Sequence, residues 1–288
     1  MFNLKFTSLV ANLEFPEYRL PYWMGNKFRG GFGSVLLKAV CGFLKPECKN
    51  CGTRTDCLYY ALYVQDRQKI GKSQPVRPII FIPPFFGKSV EGSGALTLRI
   101  NVFGDFIQYI PHIVYGVRYL GKTGLNTHSK YVLTEIKDLF TGELVYDGNS
   151  VNIDCIKSIN LDNLSGRKSG IIKINFLTPF ELEKIPLGLD HLIHMVRRRL
   201  ILYVNEYGKG NVPDYKCDDK IVRSSLKKHK LFHRSKRFGK RFFTGYTGEA
   251  EYEAKLDKNG RKLLRIGELV GAGSKSSFGM GFYEISES

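Results

Sequence analysis

Apolar residues recur along this chain with two periods, and the order of those periods is used twice. Phe2–Phe15 alternates apolar and polar positions, the period of a half-buried strand. From Asn26 to Lys45 the spacing becomes helical. Phe28, Phe32, Val35, Leu36, Ala39, Val40, Phe43 and Leu44 form one stripe, and Lys27, Ser34, Lys38 and Lys45 share another face. Pro75–Pro84 reads as extended chain and Ala95–Val102 as a strand. Phe106–Tyr119 reads as a helix that runs into a Gly-Lys loop, Gly121-Lys-Thr-Gly124, before a strand at Tyr131–Ile136. In the second half Gly170–Leu177 is a strand, and Asp190 is placed to N-cap a helix from His191 to Tyr207. Leu192, Ile193, Val196, Leu200, Tyr203 and Val204 are its buried stripe. A long polar region follows. Then come a strand at Phe242–Ala254, helical spacing over Asn259–Leu269, a glycine-rich loop and a strand at Phe278–Ile285.

Each half therefore runs strand, helix, strands, helix, Gly-Lys loop, strand. That is the β-α-β-β-α-β order of a ferredoxin-like unit. The expected class is α+β, with two tandem ferredoxin-like (RRM-like) domains. The polar, glycine-containing stretch 162–170 places the boundary. Residues 1–165 form an N-terminal domain with a four-cysteine insertion, and 166–288 a C-terminal domain with the glycine-rich loop. With 43% hydrophobic residues in 288, the chain can bury cores of that size.

Charge narrows the partner. Lys and Arg number 44 against 27 Asp and Glu, a net +17. Such an excess attracts polyanions and makes their binding salt-dependent. Thermal adaptation would raise Glu along with Lys, and here the acids lag. Arg223–Arg241 is the densest tract: no acid occurs between Asp219 and Glu249, and Phe232, Phe238, Phe242 and Phe243 interleave the cations. Arg234, Lys236, Arg237, Lys240 and Arg241 are candidate phosphate contacts, with the aromatics available to stack on unpaired bases. No stretch approaches the length of apolar chain that spans a bilayer. The N-terminus alternates like a strand and has no leader organisation. A cytoplasmic protein with no membrane partner is expected.

Two further features carry chemistry. The terminal loop around Gly271, Gly273, Ser274, Lys275 and Ser276, with Gly279 and Gly281, combines positions that tolerate positive φ with free N–H groups and one ammonium. Cys41, Cys48, Cys51 and Cys57 are spaced C-x6-C-x2-C-x5-C, with Cys41 placed on the first helix, while Cys155 and Cys217 are solitary. Clustered cysteines in a cytosolic chain favour a metal. Four thiolates suit structural zinc, an iron–sulfur cluster uses the same ligands, and a redox-labile disulfide pair is the other reading. No cluster of Asp, Glu and His resembles a two-metal nuclease site, so no catalytic metal is expected.

Several segments together resemble one family. They are Pro21-Tyr-Trp-Met-Gly-Asn-Lys-Phe-Arg-Gly-Gly-Phe-Gly33, Cys57-Leu-Tyr-Tyr60, and Gly104–Leu125 with Ile110-Pro-His-Ile113. Arg234-Ser-Lys-Arg237, Gly245-Tyr-Thr-Gly248 and the terminal Gly-Ser-Lys-Ser-Ser-Phe-Gly-Met-Gly281 complete the set. In this order they resemble the CRISPR repeat-RNA-processing endoribonucleases of the RAMP superfamily, and the cysteines point to one branch of it. The resemblance runs the length of the chain. It implies tandem ferredoxin-like folds, binding of CRISPR repeat RNA, other CRISPR-associated proteins as partners, and one metal-independent cut per repeat. In that cut a 2′-OH attacks the adjacent phosphate and leaves a 2′,3′-cyclic phosphate. A base, an acid and cations are needed. Zinc on the cysteines would be structural. Known members use a histidine associated with the first helix; here the first histidine is His112.

His112 sits in an apolar helix and is expected to pack. His128, beside the first Gly-Lys loop, is the preferred catalytic histidine, with Tyr22 and Lys27 near the first helix as further catalytic candidates. Arg29 and Lys122 are assigned to RNA binding. His191 and His194 share a helix face with Arg198 and are expected at an RNA-contacting surface. His229 and His233 lie in the basic tract, where neighbouring cations depress their pKa. Two alternatives stand beside the nuclease: a non-catalytic RNA-binding RAMP subunit of a CRISPR effector, and a zinc-containing nucleic-acid-binding protein unrelated to CRISPR.

Overall fold

The structure, a computed structural model, describes residues 1–42, 47–65, 67, 75–166, 170–182, 185–235 and 239–287. It divides into two compact units. One comprises Thr7–Gln68 and Arg77–Lys157; the other comprises Met1–Phe6, a short stretch ending at Val76, and Ser158–Ser288. Each is a sheet covered by two helices, so the chain is α+β with two ferredoxin-like sheets.

The first unit contains β1 (Lys5–Leu20, from Thr7 onward), α1 (Gly25–Val40), β2 (Ile79–Ile82), β3 (Val90–Phe103), α2 (Ile110–Thr123), β4 (Val132–Asp138) and β5 (Leu144–Tyr146). The sheet order β2-β3-β1-β4-β5 is the ferredoxin order with one added edge strand. Alternate residues Leu9, Ala11, Leu13 and Phe15 of β1 and Leu98, Ile100 and Val102 of β3 are buried. Strand periodicity sends them to one face. There they share a core with Phe28, Phe32, Val35 and Leu36 of α1 and Ile113, Val114, Val117 and Leu120 of α2. Gly116 lies against the Phe32 ring, where a β-carbon would collide.

The second unit contains β6 (Gly170–Phe180), α3 (Leu189–Tyr207), β7 (Cys217–Ser235), β8 (Gly239–Leu256), α4 (Lys258–Val270) and β9 (Tyr283–Glu287), in the order β7-β8-β6-β9. Phe2–Asn3 pairs with Lys209–Gly210, and Lys5 and Phe6 pair with Asn160 and Ile159. Ile172, Ile174 and Phe176 of β6 are buried, as are Leu192, Val196 and Leu200 of α3 and Leu263, Ile266 and Val270 of α4. Among the described residues no helix is long and apolar enough to cross a membrane.

Several sequence expectations are corrected. α1 ends at Val40, and Cys41 follows it in extended conformation rather than riding on the helix. The expected helix from Phe106 begins as a 3-10 segment at Gly104–Tyr109, and α2 proper starts with Pro111 in its first turn, where a missing N–H costs nothing. Gly121–Thr123 is the last turn of α2 rather than a loop, with Gly124 at φ +83° following it. Asp190 does not cap α3. Gly188 occupies that position, and the Asp219 carboxylate, from β7, accepts the N–H groups of Leu189 at 2.9 Å and Asp190 at 3.1 Å. The last strand starts at Tyr283, because Ser276–Phe278 forms a 3-10 turn.

The polar region after α3 is a long hairpin. β7 and β8 pair from Cys217↔Leu256 to Ser235↔Gly239, with one bulge between Ile221 and Arg223, whereas β6 pairs with β8 only from Tyr246 to Ala254. Beyond Tyr246 the hairpin is paired only with itself among the described residues. The sequence predicts β8 over Phe242–Ala254 but not β7, whose basic stretch shows no clean alternation of apolar and polar residues.

Candidate nucleic-acid interface

The glycine-rich loop is built from inside the second unit. Gly271, Gly273, Gly279 and Gly281 all have positive φ, from +72° to +81°. The loop is closed at its base: Ala272 N–H donates to Gly281 O at 2.9 Å and Gly281 N–H to Pro179 O at 3.0 Å. Arg199, buried on α3, donates to Gly273 O and to Ser276 Oγ. Burial holds its guanidinium pKa below the usual value. Ser276 is therefore buried and spent on the loop's own structure. Ser274 donates to the Glu181 carboxylate. Lys275 is half-buried, with Nζ 5.0 Å from the centre of the Phe243 ring.

Beside the loop lies an open cavity of about 570 Å³. His191, His194 and Arg198 line one side; they fall at i, i+3 and i+7 on α3 and so share a face. Ser274, Lys275, Phe242 and Phe243 line the other. Both histidines are exposed and Arg198 is half-buried. The cavity joins two groups able to carry protons with two cations and aromatic faces, a set suited to a phosphodiester and its flanking bases. Sequence reasoning had His191, His194 and Arg198 on one face. It missed that this face meets the loop, with Phe243 of the basic tract lining the same cavity, and it missed Arg199, whose spacing is that of an ordinary core position.

The hairpin extends this surface. Arg223, Lys227, Lys228 and Lys230 are exposed. Phe232 and Phe242 keep 38% and 60% of their surface in solvent, too much for core residues. Their ring centres are 5.3 Å apart, and Lys230 Nζ lies 4.7 Å from the Phe242 ring. Arg234 pairs with Lys240 and His233 with Arg241 across the ribbon, while Lys236 and Arg237 lie outside the described residues. His229 Nε2 is 2.7 Å from Thr247 Oγ1; burial first, and then Lys227, holds its pKa below the usual imidazole value.

The first unit holds the other candidates. Tyr22 is half-buried just before α1, and Lys27 is exposed on it. Arg29 is half-buried, with its guanidinium 5.9 Å from the Tyr63 ring. The Tyr63 hydroxyl donates to Arg29 O at 2.8 Å. Lys122 is exposed on the last turn of α2. His128 is exposed in the turn that follows, where its backbone N–H donates to Asn126 Oδ1 at 2.8 Å. His112 does not pack in the core: it is exposed, in edge contact with Tyr109. Tyr115 and Tyr119, one turn apart on α2, form an exposed stacked pair that sequence analysis did not single out.

Cys41, Cys48, Cys51 and Cys57 form no disulfide and line one cavity of the first unit. Among the described residues no three His, Cys, Asp or Glu side chains are preassembled to hold a cation.

Comparison with known proteins places this architecture. The AF_1859 N-terminal domain matches residues 4–157, and the AF_1859 C-terminal domain matches 172–285. An uncharacterized protein of Archaeoglobus fulgidus is 57% identical over 286 residues, covering 99% of both chains. A Thermus thermophilus Cas6 in a product complex superposes with TM-score 0.57 at 16% identity, over 98% of this chain and 100% of that one. A RAMP protein binding different RNA substrates reaches TM-score 0.50 at 12% identity, over 98% of this chain and 100% of that one. A chain of a partial Cas6-RT-Cas1–Cas2 complex reaches 0.54 at 12% identity, over 99% of this chain and 46% of the other. At such identities these structures establish the fold alone, two tandem ferredoxin-like domains. The two matching domains and the Archaeoglobus relative show that the chain belongs to the family defined by the AF_1859 N-terminal and C-terminal domains.

Proposed function

We propose that this protein binds CRISPR repeat RNA and cuts it within the repeat by attack of a ribose 2′-OH on the adjacent phosphate. The observation that carries the reading is the cavity of the second unit, where His191, His194, Arg198 and Lys275 surround one space at the foot of a basic, aromatic hairpin. Attack needs a base for the 2′-OH proton, an acid for the leaving 5′-oxygen, and positive charge on the developing dianion. The two histidines supply the first pair. Arg198 and Lys275 supply the charge, and the loop amides hold the backbone. His128, Tyr22 and Lys27 form a second acid–base set, with Arg29 and Lys122 as phosphate contacts. The cavity set is the stronger because its proton carriers and cations line a single space. The likeness in fold to a Cas6 in a product complex and to a RAMP protein binding different RNA substrates supports RNA as the ligand, and the likeness to a chain of a Cas6-RT-Cas1–Cas2 complex supports other CRISPR-associated proteins as partners.

The test is cleavage of the repeat RNA by the full chain in EDTA. A product ending in a 2′,3′-cyclic phosphate, no cut with a 2′-deoxy nucleotide at the scissile position, and loss of ~10²-fold or more in rate in His191→Ala or His194→Ala are expected. If His128→Ala alone carries that loss, the proton carriers lie in the first unit. Lys275→Ala should weaken binding by ~1–2 kcal/mol, a charge-assisted contact, and lower the salt slope by about 1. Wild-type affinity there removes the loop from the site. Cleavage of the 2′-deoxy RNA overturns the mechanism. One observation favours a second reading: α1 carries no histidine. A non-catalytic RAMP subunit would bind the repeat with the same salt dependence and leave it intact.

A further inference from the structure

The stretch Glu47–Cys57 reads Glu-Cys-Lys-Asn-Cys-Gly-Thr-Arg-Thr-Asp-Cys and contains no aliphatic or aromatic side chain. Cys48, Cys51 and Cys57 are half-buried, and every other residue of the stretch is exposed. The half-buried side chains of the stretch are thus its thiols. They face Cys41, itself half-buried just past the end of α1, and the four line one cavity of about 450 Å³. Glu47, Asn50, Thr53 and Arg54 line the same cavity from the exposed side. Cys155 and Cys217 do not line it, and none of the six is in a disulfide. The backbone is a run of tight turns. A 3-10 turn spans Cys48–Asn50; Arg54 N–H donates to Cys51 O at 3.2 Å, and Cys57 N–H to Arg54 O at 3.4 Å. No sheet ladder and no apolar anchor hold this stretch. Ordering such a chain costs conformational entropy that local turns do not offset.

We propose that Cys41, Cys48, Cys51 and Cys57 bind one zinc ion, which fixes this stretch between the end of α1 and the helical turn that begins at Leu58. Four thiolates complete a tetrahedral shell, so the ion is structural and has no open position for substrate or water. Its shell carries net negative charge, and Lys49 and Arg54 flank it on the exposed rim. Binding draws the thiols together within the cavity they already line, so metal affinity becomes folding energy of the segment. The segment leads into Tyr60–Val64, where Tyr63 donates to Arg29 O of α1. The ion therefore holds the turn that braces the arginine end of that helix. The proposal is independent of whether the protein cuts RNA.

The test uses full chain purified without added metal. Elemental analysis should find about one zinc per chain. Replacement by cobalt(II) should give thiolate-to-metal charge-transfer absorption of a four-sulfur tetrahedral site. The Cys48→Ser, Cys51→Ser double variant should lose the metal, and Cys155→Ser should keep it. Should the double variant not fold, wild-type protein treated with a strong chelator gives the same readout: proteolysis between residues 41 and 57 should speed at least tenfold and be reversed by zinc. Native chain with under a tenth of an equivalent of metal, and all four thiols open to titration, overturns the proposal. Disulfides among these cysteines overturn it, and so does stoichiometric iron with sulfide in place of zinc.

Discussion

Gly273 and Gly281 have the same backbone angle, φ +81°, yet alanine should be tolerated at one and damaging at the other. Holding alanine at positive φ costs ~1–2 kcal/mol at either position. At Gly273 a β-carbon would meet only Phe180 Cε2 at 3.8 Å and Glu181 O at 3.9 Å, ordinary contacts, so that cost is the whole effect. At Gly281 the β-carbon would be driven into the Ala272 carbonyl oxygen, with the carbonyl carbon at 3.0 Å. Those atoms are backbone and cannot rotate away. Relief requires the loop base to open, which strains Ala272 N–H···O=C Gly281 and Gly281 N–H···O=C Pro179. Overpacking of ~1–3 kcal/mol and one weakened hydrogen bond of ~1 kcal/mol bring Gly281→Ala to ~3–6 kcal/mol, against ~1–2 for Gly273→Ala. At ~3 °C per kcal/mol, thermal unfolding followed by far-ultraviolet circular dichroism should shift by ~9–18 °C in the first variant and by no more than ~6 °C in the second. Amide exchange at Ala272 and Gly281 should accelerate only in Gly281→Ala. Equal shifts would refute the claim that closure of the loop base, rather than φ alone, requires the glycine.

Two further outcomes follow from Asp219. Asp219→Ala removes the acceptor for the first N–H groups of α3 and should cost ~1–2 kcal/mol, with faster exchange at Leu189 and Asp190; unchanged exchange there would return the cap to another residue. Cys217, whose sulfur is 3.6 Å from Asp219 Oδ1, has its thiol pushed up to about 12, by burial first and then by Asp219 and Asp190. Its thiolate is thus scarce through mildly alkaline pH and appears only as pH rises. At pH 8.5 its thiolate fraction is ~10³-fold below that of a free cysteine of pKa ~8.5, so iodoacetamide should modify it far more slowly, and Asp219→Ala should speed it. A rate equal to the free thiol would refute the burial account.

The element order was written in the sequence wherever a helix or strand has one face on a core. Phe28 to Leu36 and Leu192 to Val204 declare helical stripes because their partners are apolar on one side only. The failures have the same physical source. Asp190 had the composition of a cap, but the acceptor came from Asp219, thirty residues along the chain in β7, which sequence neighbours cannot reveal. His112 follows apolar residues and is exposed, because helical phase rather than local hydropathy decides which side meets the core.

By itself the sequence determined the fold class, the basic character, the four glycines at positive φ and the thiol cluster, since these depend on period, composition and local stereochemistry. Only the tertiary structure decided that the tract around Arg223–Arg241 lies in a hairpin that extends past the rest of its sheet, that His191, His194 and Arg198 share a cavity with Lys275, and that Arg199 works inside the loop. Those facts depend on the pairing of β6, β7 and β8 and on α3 crossing their sheet, contacts between residues far apart in the chain. No local pattern encodes such contacts, because their energy is realised only when the layers pack.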